Sequence, residues 1–373
     1  MHRKSKSLWN PLYSISPAIV RGLMEIEAAK AVVENTPLTP AVETELRYKA
    51  RVRSTHYSTR IEGNRLTLKE AQDVIEKKKT NLHGRQRDVK EVRNYWDALL
   101  KVEDWAARKV DFSEDLIRRL HAIVEKGLRS KPTAYRDGQN VIRDSQSGGI
   151  VYMPPEAKDV SLLMTAMVRW VRKAEKENIP VPVIAALVHY QFVTIHPYYD
   201  GNGRTARLLA TFILQRGGYG LHGFFSMEEH HARDLASYYK SLVVHQHHNY
   251  YYGRAEAELT GWVEYFISLL ARVFTQAKDE ALRLGKTGIP SEPEKLRRLD
   301  HRARVVLAIF AKKDTITAKD AAEGLGLSNR MMRILMQQWA EDGWLTIVNM
   351  SNRSRSYGLS ANYRQFVGNV TEK

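Results

Sequence analysis

The sequence predicts a mainly α-helical protein with two or three domains. Apolar residues recur at spacings of three and four along most of the chain, as in Leu116, Leu120 and Ile123, which indicates amphipathic helices. Residues 135–155 break this pattern with two short β-type runs on either side of a Ser-Gly-Gly turn, which predicts a β-hairpin. A chain of 373 residues is also too long for one ordinary hydrophobic core.

The individual elements follow from local signals. Two prolines in residues 35–40 separate the first helix from the second, and Ser113 is the expected N-cap of a later helix. The hairpin strands are predicted at residues 140–143 and 150–153, closed by two prolines. Two apolar helices, at 183–195 and 205–215, are joined by a loop that contains proline and glycine.

The C-terminal part has an organisation of its own. Residues 287–294 are rich in turn formers and polar residues, so we predict a linker there. Beyond the linker, helices are predicted at 302–311, 317–324 and 329–341, followed by strands at 344–348 and 357–359. This order is typical of a winged helix-turn-helix. The predicted domains are an N-terminal helical arm, a helical core, a linker and a winged helix, at residues 1–110, 111–286, 287–294 and 295–373.

Composition restricts the classes of protein that fit. With 43% hydrophobic and 9% aromatic residues the chain should fold, and with no cysteine it has neither disulfides nor thiolate metal sites. No apolar run approaches the roughly 20 residues that span a bilayer, and the N-terminus lacks the apolar stretch of a secretory signal. We therefore expect a cytoplasmic protein without membrane spans. The net charge of +16 is spread along the chain, which suits a protein that binds phosphates or acidic partners as well as nucleic acid.

One segment concentrates chemically useful groups. Residues 196–207 read His-Pro-Tyr-Tyr-Asp-Gly-Asn-Gly-Arg-Thr-Ala-Arg, between the two apolar helices. Glycines allow close backbone approach, and the start of the second helix offers free N–H groups, so the loop suits an anion such as phosphate. Arg204 and Arg207 can each bind phosphate oxygens in a forked geometry, and Asp200 can hold Mg²⁺. His196 can accept a proton near neutral pH.

This segment resembles the signature of the Fic family, His-Pro-Phe-x-x-Gly-Asn-Gly-Arg-x-x-Arg, and departs from it only at Tyr198. The resemblance implies a Fic-type helical core and a protein adenylyltransferase, which moves AMP from ATP to a Tyr, Thr or Ser hydroxyl of a target protein or of itself. It makes His196 the base and Asp200 the Mg²⁺ ligand. It assigns ATP phosphates to Gly201, Asn202, Gly203, Arg204 and Arg207. UTP and GTP stay open as donors.

The same resemblance assigns further parts. An inhibitory helix of the class II type is implied by Ser58 and Glu62, with Glu62 reaching Arg207, although a Glu-Gly-Asn helix end is also an ordinary C-cap. In some relatives this glutamate serves the reverse reaction, removal of AMP. A nucleotide contact is implied for Tyr238 and Tyr239, with packing alone as the alternative. The hairpin becomes a flap that docks the target, or else a passive hairpin; its residues are Asn140, Val141, Ile142, Ile150, Val151 and Tyr152.

Two other signals point to different classes of function. The run Glu228, Glu229, His230 and His231 and the group His245, His247 and His248 lack a recognisable metal-ligand spacing, so solvated polar faces are expected there. In the winged helix, arginines at the start of the predicted recognition helix and in the wing could contact DNA, which would make the protein a DNA-binding regulator; they are Arg330, Arg333, Arg353 and Arg355. Neighbouring apolar side chains, such as Met331 and Ile334, leave few polar groups for base edges. DNA, a docked protein and a second copy therefore stay open as partners.

Overall fold

The computed structural model describes residues 9–78, 84–143, 148–286, 299, 301–310, 313–325, 327–351 and 355–364. The prediction of a mainly helical protein is confirmed. The described residues group into two compact units, the first within Met1–Glu34 and Lys49–Asp279 and the second within Asn35–Tyr48 and Glu280–Lys373. The predicted boundary between arm and core lies inside the first unit and stays a prediction, and the predicted linker, 287–294, lies outside the described residues.

Eleven helices are described between Pro17 and Lys286. A proline break separates the first two helices, as the sequence predicts, and Ser113 caps α5 by accepting a hydrogen bond from the backbone N–H of Leu116. The helices are α1 Pro17–Asn35, α2 Pro40–Ile61, α3 Leu68–Ile75, α4 Gln86–Ala107, α5 Glu114–Lys126, α6 Ala157–Lys176, α7 Val181–Ile195, α8 Asn202–Arg216, α9 Met227–Arg233, α10 Leu235–Leu242 and α11 Thr260–Lys286.

The centre of the first unit is the antiparallel pair α7 and α8. Helix α7 is apolar on all sides and is buried along nearly its whole length, because α6 and α8 both pack against it. Helix α8 packs in turn against α4 and α5. In α11, the Trp262 indole N–H donates to the carbonyl of Ala186 in α7, which fixes this helix against the same core. The segment between α7 and α8 is therefore held between two buried helices.

Helix α8 begins earlier than the apolar pattern predicted. We expected residues 205–215, but the helix begins at Asn202 and ends at Arg216. The reason is Gly201, which adopts a left-handed conformation (φ 74°) at the N-cap and lets the chain turn directly into the helix. As a result Asn202, Gly203 and Arg204 all belong to the first turn, where backbone N–H groups are free of intrahelical partners.

The predicted hairpin is present with shorter strands. Strands β1 Ile142–Arg143 and β2 Ile150–Tyr152 pair antiparallel, with Ile142 opposite Tyr152. The predicted strands were longer at both outer ends, because Asn140 and Met153 make other contacts. The Asn140 side chain donates to the carbonyl of Tyr198, and the Met153 N–H donates to the carbonyl of His248. Residues 144–147, part of the predicted turn, lie outside the described residues.

The C-terminal part of the second unit has a core of its own around Val306, Ile316, Met332, Trp344 and Tyr357. The three helices and two strands predicted there are found within a few residues of the expected positions. A third strand, β3, was not predicted; it is only three residues long and pairs with β5 in the sheet order β3-β5-β4. The elements are α12 His301–Ile309, β3 Thr315–Thr317, α13 Ala318–Leu325, α14 Asn329–Glu341, β4 Leu345–Asn349, β5 Ser356–Leu359 and α15 Ala361–Arg364. Assignment of this unit to the winged-helix class stays a prediction.

Within the described part of the chain, no helix combines the length and the apolar character that crossing a membrane requires.

A close helix contact gives a test of the packing. A Cβ atom added at Gly22 in α1 would lie 2.6 Å from the Cγ2 methyl of Ile267, which is fully buried in α11. We expect Gly22→Val to lower the free energy of unfolding by about 1–3 kcal/mol, because overpacking forces the two helices apart. Urea denaturation measures the change. Gly261→Ala is the control, since the same atom there meets nothing within 4 Å; equal losses in both variants would contradict the packing argument.

Candidate functional site

His196 lies at the C-terminal end of α7. It adopts a left-handed backbone conformation (φ 50°, ψ 60°) that ends the helix. Its Nδ1 atom lies 3.3 Å from the carbonyl oxygen of Val193, and this contact favours the tautomer with the proton on Nδ1. Burial lowers the pKa of His196 to about 4, so the ring is neutral at pH 7. The side chain therefore offers Nε2 as a proton acceptor.

The loop after His196 is shaped by Asn202. The Asn202 side-chain oxygen accepts from the N–H of Tyr198, and its amide nitrogen donates to the carbonyl of the same residue, at 3.0 and 2.8 Å. Asn202 is only 2% exposed. Its side chain thus closes the loop in this structure, and the phosphate contact implied for it by the sequence stays a prediction.

Asp200 presents its carboxylate at the edge of the site. Its Oδ1 atom accepts from the N–H of Gly201 at 2.6 Å, and its side chain is 62% exposed. Its Oδ2 atom lies 3.8 Å from Arg87 Nη2, beyond hydrogen-bond distance. An exposed carboxylate whose Oδ2 makes only this longer ion pair among the described residues fits a magnesium ion that takes its other ligands from substrate phosphates and water. No cluster of three or more His, Asp or Glu side chains arranged for a metal occurs among the described residues.

The solvated polar face expected at residues 228–231 is wrong. Glu228, Glu229 and His231 are buried, because hydrogen bonds such as those that Ser54 and Tyr95 donate to Glu228 satisfy polar groups inside the protein.

Arg204 is buried and already paired. Its Nη2 atom donates to Glu125 Oε1 at 2.9 Å and lies 3.3 Å from Asp200 Oδ1. Glu125 approaches so closely that a Cβ atom at Gly201 would lie 2.4 Å from its Oε1. Gly201 therefore suits this position in two ways: its left-handed φ favours glycine, and a side chain there would have to displace the Glu125 carboxylate. The role of Glu125 was not predicted, since nothing in the sequence of α5 marks it as a partner of the loop.

Arg207 is fully buried and bound from α2. Its Nε donates to Ser58 Oγ at 2.8 Å, and its Nη2 donates to the Ser58 carbonyl and to Glu62 Oε1, both at 2.9 Å. Glu62 also covers the first turn of α8, because a Cβ atom at Gly203 would lie 2.2 Å from Glu62 Oε1. The structure thus brings Ser58, Glu62, Gly203 and Arg207 together, while Arg204 faces a different carboxylate.

These groups open into a cavity of about 370 Å³. Its lining includes His196, Arg207 and Glu62, together with side chains from the hairpin and α10. Asp200 and Arg204 are not part of this lining. The residues are Glu62, Ile142, Val151, Tyr152, Val193, Thr194, His196, Gly203, Arg207, Tyr238, Tyr239, Lys240, Leu242, Val243 and Arg254.

The two tyrosines of α10 differ in their surroundings. Tyr238 is 2% exposed and its hydroxyl lies 3.2 Å from His189 Nε2, so much of its ring serves packing. Tyr239 is 47% exposed and its ring centroid lies 5.3 Å from that of Tyr238. Both line the cavity, and only Tyr239 has a ring face open enough to stack on a planar ligand.

The hairpin is anchored at one end and open at the other. The Tyr152 side chain is buried and its hydroxyl donates to the carbonyl of Thr194 in α7. Ile150 and Val151, by contrast, are exposed apolar residues. Among the described residues β1 pairs only with β2, which leaves its outer edge for a further strand. Val141 and Ile142 lie along this edge.

Sequence reasoning missed Arg136, which connects the hairpin to His196. This buried guanidinium donates to three backbone carbonyls: those of His196 and Gly138 at 2.9 Å, and that of Pro155. The backbone N–H of Arg136 donates to the carbonyl of Pro197. Both ends of the hairpin and the turn after α7 are therefore tied to one side chain. An arginine next to Tyr135 in a hairpin segment carries no signal of this role.

His121 is a second residue that the sequence did not indicate. Its ring stacks on that of Tyr198, with centroids 3.5 Å apart and planes 12° from parallel, and its Nε2 lies 2.8 Å from the carbonyl oxygen of Asp200. Burial lowers the pKa of His121 to about 4, so it is neutral and donates to this carbonyl. His121 therefore fixes the loop between α7 and α8 from the side of α5.

The second unit places its candidate residues on the surface. Arg330 and Arg333 are exposed on α14, Arg355 is half-buried, and Arg353 lies outside the described residues. Met331 and Ile334 are 48% and 58% exposed on the same helix. Exposure suits phosphate contacts and protein docking equally, so the DNA-binding interpretation stays a prediction.

The part of the chain that contains His196, Asp200 and Arg207 is similar to known proteins. Residues 111–214, which contain α5 to α7, the hairpin and all but the last two residues of α8, match the model of the Fic/DOC family. These residues form a Fic domain. The chain is 31% identical over 166 residues to the protein adenylyltransferase Fic of Nematostella vectensis, a match that covers 44% of this chain and 37% of that protein. It is 30% identical over 165 residues to the protein of the same name from Drosophila melanogaster, covering 44% and 32%.

The chain thus spans about a third of the length of these curated relatives. A solved Fic family protein from Desulfovibrio desulfuricans G20 is similar over a longer stretch. It is 26% identical, with a TM-score of 0.58, and the match covers 95% of this chain and 99% of that one. The likeness to this bacterial protein therefore extends beyond the Fic domain to most of the described elements.

The one departure from the Fic signature gives a test. Tyr198 is 2% exposed, and its hydroxyl has no hydrogen-bond partner among the described residues. We expect Tyr198→Phe to raise the free energy of unfolding by about 1 kcal/mol, because it removes a buried hydroxyl that forms no bond. Chemical denaturation measures this. Tyr135→Phe is the matched control: its hydroxyl donates to Glu114 Oε2 at 3.0 Å, so stability should fall. A loss of stability in Tyr198→Phe would show that its hydroxyl is satisfied in solution.

Proposed function

We propose that the protein is an adenylyltransferase that moves AMP from ATP to a hydroxyl group of a protein, and that Glu62 inhibits it. The observation that carries this proposal is the cavity in which neutral His196 and buried Arg207 face the same space, inside a Fic domain. A proton acceptor and a phosphate-binding cation are the two groups that transfer of a nucleotide to a hydroxyl requires.

Each residue would have one task. His196 Nε2 takes the proton from the target hydroxyl, whose oxygen attacks the α-phosphorus; an O–P bond forms and the bond to the departing pyrophosphate breaks. Free N–H groups of the first turn of α8, at Gly203, face the phosphoryl oxygens and stabilise their charge. Arg207 binds the terminal phosphates. Arg204 would join it only after exchanging Glu125 for phosphate.

Asp200 would hold the magnesium ion. Bound there, Mg²⁺ would neutralise phosphate charge. The exposed position of the Asp200 carboxylate supports this assignment, because phosphate oxygens and water can reach the same point.

Glu62 would inhibit by occupying the place of a phosphate. Its carboxylate already satisfies the Arg207 guanidinium and lies against the first turn of α8. A triphosphate would compete for the same donors, and like charges would repel it. Removal of this carboxylate should therefore free both Arg207 and the approach to Gly203.

The hairpin would dock the target. The open edge of β1 suits an extended segment that adds as a strand, while exposed Ile150 and Val151 offer apolar contacts to its side chains. A target segment in this position would run along the cavity that contains His196. The protein itself or a separate protein could supply the segment.

The first test is intact mass spectrometry after incubation with Mg²⁺ and, separately, ATP, UTP or GTP. We expect Glu62→Gly to gain the mass of AMP from ATP at a rate about 10- to 100-fold above that of the wild type. This range corresponds to the roughly 1.5–3 kcal/mol of a hydrogen bond to a charged group. The control is Glu62→Gly with His196→Ala, which should gain nothing.

A separate outcome would change the proposal. If none of the three proteins gains mass, while the wild type removes AMP from an adenylylated protein and Glu62→Gly does not, the reaction runs in the reverse direction. Mass gain from UTP or GTP alone would replace the donor and leave the roles of His196 and Glu62 in place.

The lowered pKa of His196 predicts an unusual pH dependence. A histidine base with an ordinary pKa would lose activity as the pH falls through about 6.5. Because burial lowers the pKa of His196 to about 4, the ring stays unprotonated well below that pH. For Glu62→Gly, kcat/KM should therefore remain constant from pH 8 down to about pH 5.5. A half-maximal value near pH 6.5 would contradict this assignment.

A further inference from the structure

The inhibitory segment is held by a second buried carboxylate, in α9. Glu228 is 2% exposed and accepts three hydrogen bonds: from Ser54 Oγ in α2 at 2.8 Å, from the Tyr95 hydroxyl in α4 at 3.1 Å, and from Ser226 Oγ at 3.1 Å. The donors come from three different parts of the chain. All three are neutral hydroxyls, and no cation is among the partners described for Glu228. These three hydrogen bonds therefore have to compensate for the hydration that the carboxylate loses on burial.

Ser54 belongs to the face of α2 that reaches the site. Ser54, Ser58 and Glu62 are spaced by four residues, so they follow one another along one side of α2 and its C-terminal end. The first binds Glu228, and the other two bind Arg207. On this side of α2, the contact of Ser54 with α9 thus lies about two helical turns before the contact of Glu62 with Arg207.

Two further contacts link the same elements. Tyr95, which donates to Glu228, also interacts with the side chain of Ser58, and this interaction partly offsets the rise that burial causes in the pKa of the Tyr95 hydroxyl. Next to Glu228, Glu229 lies 3.3 Å from Arg53 of α2. Consecutive acidic residues in the first turn of α9 therefore bind consecutive residues of α2.

From this geometry we infer that Glu228 is a positioning residue for the inhibitory segment, which sets Ser58 and Glu62 against Arg207 through Ser54 and Tyr95. This inference rests on the proposed function. Glu228 touches neither nucleotide nor target in this assignment; it acts by fixing where the end of α2 lies. Loss of its contacts should let the end of α2 move away from Arg207. The guanidinium would then be free, as it would be after removal of the Glu62 carboxylate itself.

The test compares Glu228→Gln and Ser54→Ala, each alone and combined with Glu62→Gly, by the rate of AMP transfer. Alone, each should raise the rate by roughly 3- to 10-fold over the wild type, as expected of a residue that biases a two-state element. In the Glu62→Gly background neither should change the rate by more than about twofold. A residue that merely stabilises the fold would lower the rate in both backgrounds, and that result would overturn the inference.

A second measurement does not depend on enzymatic activity, so it tests the role of Glu228 independently of the proposed function. Hydrogen exchange of the wild type and of Glu228→Gln is followed in the peptide from Arg53 to Glu62. Faster exchange in this peptide, with α7 unchanged, supports the positioning role; unchanged exchange there overturns it. The control is Glu175→Gln in α6, which makes the same substitution at an exposed carboxylate whose partner is Arg216. If Glu62→Gly transfers no nucleotide, the proposed function fails while the exchange result still decides the role of Glu228.

Discussion

The organisation of the site depends on one buried positive charge, the guanidinium of Arg207. Helix α8 carries this side chain into the interior between α4 and α7, where a charge without a partner would be strongly destabilising. In this structure Ser58 and Glu62 supply the acceptors. Any ligand that binds Arg207 must therefore either replace these acceptors or share the guanidinium with them. Under the proposed function, the stability of the site without ligand and its availability for phosphate are opposed requirements, and the position of α2 would decide between them.

The same constraint explains why so many polar side chains are buried around α2 and α8. Arg204 is paired with Glu125 and Arg207 with Glu62, so each buried cation of the first turns of α8 has its own carboxylate. Neutral groups close the remainder of the loop: Asn202 bonds to both backbone groups of Tyr198, and His121 bonds to the carbonyl of Asp200. The backbone of the loop is therefore held by several side chains, and the N–H groups without intrahelical partners lie at the start of α8.

The sequence predicted the parts of this arrangement that depend on local pattern. The helices, the hairpin and the segment from His196 to Arg207 follow from spacing, turn residues and a specific motif, and the contact between Glu62 and Arg207 was expected from the resemblance. Contacts between distant segments were not predictable. Glu125 and Arg136 lie in α5 and before the hairpin, and no periodicity or motif marks an arginine that will bind three carbonyls. The early start of α8 at Asn202 depends on the conformation of Gly201, which the apolar pattern does not report.

The contacts of Arg136 have a consequence for which target side chains the site could accept. Because one side chain binds the carbonyls of Gly138, Pro155 and His196, the two ends of the hairpin and the backbone of the base are held at fixed separations. Under the proposed function, a segment added at the edge of β1 would meet His196 at a set distance. Under that function, the fixed distance would select hydroxyl side chains by their length, because a side chain that is too short or too long would place its oxygen out of reach of His196.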